Sequence, residues 1–344
     1  MSTPKKPKKT RTLLVPLLLI LTFFLTACSV RFETASEATV APDANEIARQ
    51  AAVSDIVLIH ANALEAASFL PEDDATYLAI MQAVDFSSLH SRELGGVKES
   101  DSETIESTPS VTLTTLNTDG QPRPAPSETE LPSNEEAPTV ESVVTELSQS
   151  AWRIRASIDT VKEPGLARLL TSVSVSQAQL SQDIAAASGI VVGEQVRLED
   201  SAIINLKATL ESDVLNNLIV AEDSLGFAFE SYALTLSEKL SDPMTNAATH
   251  RKTANYFVKY QSKNALGLDP RQVAYDITPT WDEQSANQEI IAALKQVSQN
   301  YSSLSGVVAP EDRPLVIDLL MRAQNEYREW QPKLVPFPGM NELN

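Results

Sequence analysis

Cysteine, glycine and histidine are scarce in this chain, and each scarcity removes a class of chemistry. One Cys in 344 residues, Cys28, excludes an intrachain disulfide and any site built on several thiolates. Ten Gly suit a helical protein better than a turn-rich sheet protein, and none forms part of a Gly-rich phosphate loop or a Gly-x-Ser-x-Gly nucleophile elbow. Three His leave few general bases. None of them completes a Glu-x-x-His pair, since Val57, Ser87 and Ala247 stand three residues before His60, His90 and His250. A di-iron carboxylate bundle needs two such pairs. A triad assembled from distant Ser, His and Asp stays open, but the balance points away from an enzyme. Basic residues are also in deficit. With 27 Lys and Arg against 46 Asp and Glu, the formal charge is −19, and such a surface repels nucleic acid and anionic lipid headgroups.

The positive charge that exists is concentrated at the start. Lys5, Lys6, Lys8, Lys9 and Arg11 precede the apolar run LLVPLLLILTFFL, which ends in small residues before Cys28. Residues 1–27 therefore read as a secretory signal, too short in its apolar run for a spanning helix. Leu25, Thr26, Ala27 and Cys28 resemble the lipobox of bacterial lipoproteins. That resemblance implies cleavage before Cys28 and its modification with diacylglycerol and acyl chains such as palmitate, two chains being enough for stable anchoring. The expected location is the cell membrane, lipid-anchored on the extracytoplasmic face. Loss of the signal takes five basic residues with it and moves the formal charge from −19 to −24.

Beyond the anchor the pattern is helical throughout. Residues 28–43 read as the lipidated Cys and a flexible tether. Residues 44–190 read as an N-terminal helical bundle. Its first helix shows Val53, Val57, His60, Leu64 and Ala67 on one face, its second is broadly apolar from Leu78 to Leu89, and its third has the seam Val144, Leu147, Ala151, Ile154 and Ile158. A Pro164-Gly165 turn leads into the fourth. Within this bundle, residues 97–138 are rich in Ser, Thr, Pro and Glu and read as a disordered acidic insert. After a connector at 191–212, residues 213–340 form a second set of four. Leu215, Leu218, Glu222, Leu225, Phe229, Tyr232 and Leu236 lie three and four residues apart and mark a core-facing helix running to Leu236. Ala247, His250, Ala254 and Phe257 give the next helix its inner face. Ile290, Leu294, Val297, Tyr301 and Leu304 give the third, with a capping box expected from Ser285 to Gln288. The fourth opens at Pro314 and presents Val316, Leu319, Ala323, Tyr327 and Trp330. Trp152, Trp281 and Trp330 read as packing residues. Connections run short, long, short in each half, the connectivity of a bundle with one long crossover. The expected fold is all-α: two tandem helical bundles, the second a ferritin-like four-helix bundle.

Residues 213–340 also resemble an uncharacterised family of ferritin-like domains in actinobacterial secreted proteins and lipoproteins. The resemblance is carried by AEDSLGFAFESYAL, HRKTANYF, AYDITP, Tyr301 and EYREWQPKLVPFPG. The chain departs from the family pattern at Asp223, where a His is expected.

One member of the 215–236 seam is a carboxylate, and burying it requires a partner, a proton or a cation. Glu222 and His250 fall on inner faces of neighbouring helices, with Glu326 at the edge of the last helix's seam. Two readings follow. In the first, Glu222 and His250 pair inside the bundle, no cofactor is required, and the protein is a non-catalytic interaction or scaffold protein with an envelope protein as partner. In the alternative, Glu222, His250 and Glu326 hold a single divalent metal ion in a metal-binding or redox protein.

Overall fold

A computed structural model describes residues 42–96, 137–191, 200–235, 243–276 and 282–344. Cys28 and the signal, residues 97–136 of the expected insert, Leu236 and Trp281 lie outside the described residues. Among those described, every regular element is helical: α1 (Ala44–Ala67), α2 (Ala75–Glu93), α3 (Val140–Ser157), α4 (Pro164–Ser188), α5 (Ser212–Ser231), α6 (Pro243–Lys263), α7 (Glu283–Val307) and α8 (Arg313–Trp330). Short 3-10 turns at Ile158–Thr160, Asp200–Asn205 and Pro310–Asp312 punctuate them.

Local chemistry sets the ends. The carboxylates of Asp43 and Asp74 accept from the amides of Glu46 and Thr76, satisfying N–H groups that have no partner within the helix. Thr139 and Ser142 cap α3 reciprocally. Pro164 occupies the first turn of α4, where its missing N–H costs nothing, and Gly189 ends that helix at φ +71°. For α7 the start lies upstream of the expected Ser285 box. Asp282 is the cap and accepts from Ser285 N at 2.9 Å, so Ser285 sits one turn inside the helix. Helix α5 stops at Ser231, short of the expected Leu236.

The helices pack as hairpins in layers. α1 lies on α2, α3 on α4, α5 on α6 and α7 on α8. Between layers, α1 meets α3 and α2 meets α4, while α5 meets α7. The α3–α4 layer meets the α7–α8 layer through α4 against α7 and α8, and α3 against α8. The spatial order is therefore α1–α2, α3–α4, α7–α8, α5–α6. Residues 43–344 form one compact unit, and one apolar cluster runs from Ala52 on α1 to Phe337 and Met340 near the end of the chain. The two sets of four helices share a core.

α4 stands at the centre of this stack, which explains its composition. It buries Thr171, Ser172, Ser174, Ser176, Gln177, Gln179 and Ser181 beside Val173, Val175 and Leu180. Small hydroxyl side chains allow close approach of neighbours, and their donors reach carbonyls across the interface: Ser174 donates to Ala151 O and Ser181 to Val144 O. Arg313, at the start of α8, is buried among carbonyls. It donates to Ser305 O at 3.0 Å, Ile158 O at 3.2 Å and Val161 O, tying α7 and α8 to the turn after α3.

The segment after α8 is structural. Leu334, Phe337 and Met340 are buried, Pro336 O accepts from His90 Nε2 at 2.7 Å, and Pro338 O accepts from Ser172 Oγ at 2.9 Å. Gly339 permits this course. Its φ is +73°, and a Cβ there would stand 2.6 Å from Ser298 O and Ser302 Cβ.

One expected face and one expected packing residue are corrected. On α1 the buried stripe is Ala52, Val53, Ile56, Ile59, Ala63, Ala66 and Ala67, while Val57 and Leu64 are exposed. This helix is apolar on both sides, so periodicity alone does not choose the inner one. Trp152 is also exposed, whereas Trp330 is buried as expected. No helix among the described residues is long and apolar enough to cross a membrane.

Candidate functional site

Each helix of the second set contributes one group to a single buried network: Glu222 from α5, His250 from α6, Tyr301 from α7 and Glu326 from α8. The seams expected from the sequence deliver them. Leu215, Leu218, Glu222, Leu225, Phe229 and Tyr232 are all buried, as are Ala247, His250, Ala254 and Phe257 on α6 and Ile290 through Leu304 on α7. Glu222 is 1% exposed and His250 2%. His250 Nδ1–H donates to Glu222 Oε2 at 2.7 Å, and Nε2–H donates to Glu326 Oε2 at 2.9 Å. Tyr301 O–H donates to the other Glu222 oxygen, and Asn246 Nδ2 donates to the other Glu326 oxygen at 2.8 Å. The Phe229 ring lies parallel to the imidazole, centroids 5.7 Å apart.

The electrostatics are those of an imidazolium between two carboxylates. Burial pushes the His250 pKa down, but Glu326 and Glu222 outweigh it and raise it to about 10. Burial pushes the Glu222 pKa up; the opposing charge of His250, its hydrogen bond and the nearby Arg322 hold it below the usual carboxylate range. Arg322 itself donates to Thr253 Oγ1 at 3.0 Å. The buried charges are thus balanced and each carboxylate oxygen of Glu222 has a donor, which is the condition for carrying charge in a dry core.

This donor set does not fit a resident metal. A metal takes one imidazole nitrogen, yet the two carboxylates lie against different nitrogens on opposite edges of the ring, so the three groups do not converge on one point. Among the described residues no group of three or more His, Cys, Asp and Glu is arranged to hold an ion. The structure brings Glu222, His250 and Glu326 together and arranges them as a linear relay of hydrogen bonds.

A second network lies one residue further along each helix. Asp223, 2% exposed, receives Arg251 Nη1 at 3.1 Å and Tyr275 O–H at 2.9 Å, and Arg251 also pairs with Glu230. Consecutive acids on α5 thus meet consecutive cations on α6, Glu222 with His250 and Asp223 with Arg251. The helices come close here: a Cβ on Gly226 would lie 3.0 Å from Ala247 O. This doubled pairing fixes the register of α5 against α6, because a slip of one residue breaks both pairs. Tyr275 belongs to the crossover and packs edge-on against Phe227, fastening that loop to α5. The sequence singled out Asp223 only as a departure. Its run of two acids, Glu222-Asp223, against the two cations His250-Arg251 was the signal for the pairing.

The remaining histidines lie elsewhere. His60 is half-buried, its Nδ1 3.2 Å from Val84 O. His90 is 1% exposed between Phe86 and Phe337, and burial, partly offset by the Pro336 carbonyl, lowers its pKa to about 4. It is a neutral core residue.

No protein-family model, curated protein or solved structure matches the chain. Asp223, Arg251 and Tyr275, which meet in space, lie in the stretches AEDSLGF, HRKTANYF and AYDITP.

Proposed function

We propose that this chain is a lipid-anchored extracytoplasmic protein of the bacterial cell envelope, acting as a non-catalytic interaction or scaffold protein whose second half is a ferritin-like four-helix bundle. The observation that carries the non-catalytic reading is the state of His250. Both of its nitrogens are engaged by carboxylates and its proton is held far above neutral pH, so it offers neither a lone pair to a metal nor a base to a substrate. The ferritin-like reading is supported by adjacency. α5 neighbours α6 and α7, α7 neighbours α8, and side-chain bonds join α6 to α8. A long connection separates α6 from α7, as a crossover bundle requires. The Leu25-Thr26-Ala27-Cys28 run supports the anchor.

The runner-up is a ferritin-like metal-binding or redox protein, favoured by one observation: all four helices deliver a polar group to the same level of the bundle. Metal content after loading with iron, manganese and zinc, measured beside a Glu222→Ala, His250→Ala double variant, separates the two. The scaffold reading expects no stoichiometric metal in either protein. Metal in the parent that vanishes in the variant overturns it.

A further inference from the structure

Six large apolar side chains are exposed on one outer layer of the fold. Ile47, Val57, Leu58 and Leu64 lie on α1, Phe69 in the turn and Leu78 on α2, each between 44% and 68% exposed. On α1 they alternate with Ala51, Ser54 and Ala61, also exposed. The positions 47, 51, 54, 58 and 61 follow four- and three-residue steps along the side opposite Ile56, Ile59 and Ala63, with no charged residue among them from Ile47 to Leu64. This layer is the one farthest from α5–α6 in the stack, so α5–α8 do not cover it. An uncharged, largely apolar stripe that no other described element covers marks an interaction surface.

We infer that this face of α1, with Phe69 and Leu78, lies on the surface of a lipid bilayer, its apolar side chains in the boundary between headgroups and acyl chains. The inference rests on the lipid-anchor reading. Two observations select this occupant. First, α1 is the first described helix after Cys28, and the fifteen residues between Cys28 and Ala44 extend at most about 55 Å, so a bilayer holding Cys28 is within reach of α1 at high effective concentration. Second, charge disfavours a second copy. The chain carries −19 overall, and −24 without its first 27 residues, so two copies brought face to face repel. A neutral bilayer imposes no such repulsion. The surface it takes is therefore one of zwitterionic headgroups: Glu46 and Glu65 bound the stripe, and it lacks the basic fringe of a helix that selects anionic lipid, since Arg49 is turned to the other side of α1, where it donates to Leu94 O and Gly96 O.

The test uses the full chain, expressed with lipoprotein processing and reconstituted in phosphatidylcholine vesicles. Intact mass reports acylation of Cys28, which checks the anchor separately. With Cys28 acylated, Leu58→Cys and, in a second protein, Leu64→Cys each present one thiol for an environment-sensitive fluorophore, and Ala248→Cys on the exposed side of α6 is the control. The expected result is at least a twofold loss of emission at positions 58 and 64 when brominated acyl chains are included, with no change at 248, and a smaller loss when anionic lipid is added. Emission at 58 and 64 insensitive to bromolipid overturns the inference, whether the label is in water or shielded by the protein itself. Label-to-label energy transfer that rises with protein density and replaces the bromolipid effect also overturns it, in favour of a second copy. An unacylated product whose label is still quenched removes the anchor and leaves the membrane-facing side of α1 standing.

Discussion

Replacing Glu222 by Leu removes the one carboxylate that serves both His250 and Tyr301 in the core. In the variant, His250 Nδ1–H loses its acceptor in a site closed to water, the Tyr301 hydroxyl loses its bond to Glu222, and the imidazolium keeps only Glu326. Breaking a buried pair from one side costs about 3–5 kcal/mol. At about 2 °C per kcal/mol for a unit of this size, Tm falls by about 6–10 °C. Glu326→Leu is milder because that side chain is 14% exposed and water replaces part of what is lost, giving about 1–2 kcal/mol. The decisive protein carries Glu222→Leu, His250→Phe, Tyr301→Phe and Glu326→Leu together. With imidazole, phenol and both carboxylates replaced together, what is left is the half-exposed Asn246 amide that had donated to Glu326 and the Arg322 charge that had faced Glu222, and stability lies within about 2 kcal/mol of the parent. Urea unfolding followed by circular dichroism gives all three numbers. A Glu222→Leu cost below about 1 kcal/mol, or a quadruple variant less stable than the single one, would refute the view that the network's worth lies in mutual satisfaction.

Further outcomes follow from the same structure. His90 is neutral in the fold with its pKa lowered to about 4, while the unfolded chain takes the proton near 6.5, so stability drops as pH falls from about 6.5 to about 4. The loss is about 3 kcal/mol, and denaturation at pH 7.5 and 4.5 shows a smaller difference in His90→Phe. The raised pKa of His250 acts in the other direction: its contribution is complete below about 6.5 and is lost as pH rises through about 10, so alkaline unfolding is blunted in the quadruple variant. Gly339→Ala forces a side chain onto Ser298 O and Ser302 Cβ at a left-handed φ, destabilising by about 2–4 kcal/mol from strain and overpacking together, read as a lower urea midpoint. Arg313→Leu takes the guanidinium from the carbonyls of Ile158, Val161 and Ser305, leaving Ile158 O only the Val161 amide, and costs about 2–4 kcal/mol, measured the same way.

Where one face of a helix was apolar and the other polar, the sequence was enough to read it. The seams of α3, α5, α6 and α7 are buried as their spacing requires, and the carboxylate at Glu222 was visible as an anomaly on such a seam. α1 defeated the same rule because it is apolar on two sides, and choosing the inner one requires knowing which neighbour arrives. α4 conceals its centrality behind serines and glutamines, which read as solvent-facing until three layers close around them. The pairing of Asp223 with Arg251 is a property of register between two helices, as is the third arm of the network from Tyr301. The course of residues 331–344 has no periodicity, and its burial depends on two carbonyls finding His90 and Ser172.

The order of the layers also differs from the order of the chain, and this bears on synthesis. α5 and α6 leave the ribosome before α7 and α8, the layer that covers their inner side. Until that layer forms, the hairpin holds Glu222 and His250 against water on one side, without Tyr301 or Glu326. The first half can close its own square earlier, yet the outer side of α4 waits for the same late arrivals. Final sealing comes last of all, when Phe337 and the residues around Gly339 settle between α2, α4 and α7. A chain stalled shortly before its end thus exposes both halves of its core at once, and its vulnerability to proteases and aggregation is concentrated in that final interval.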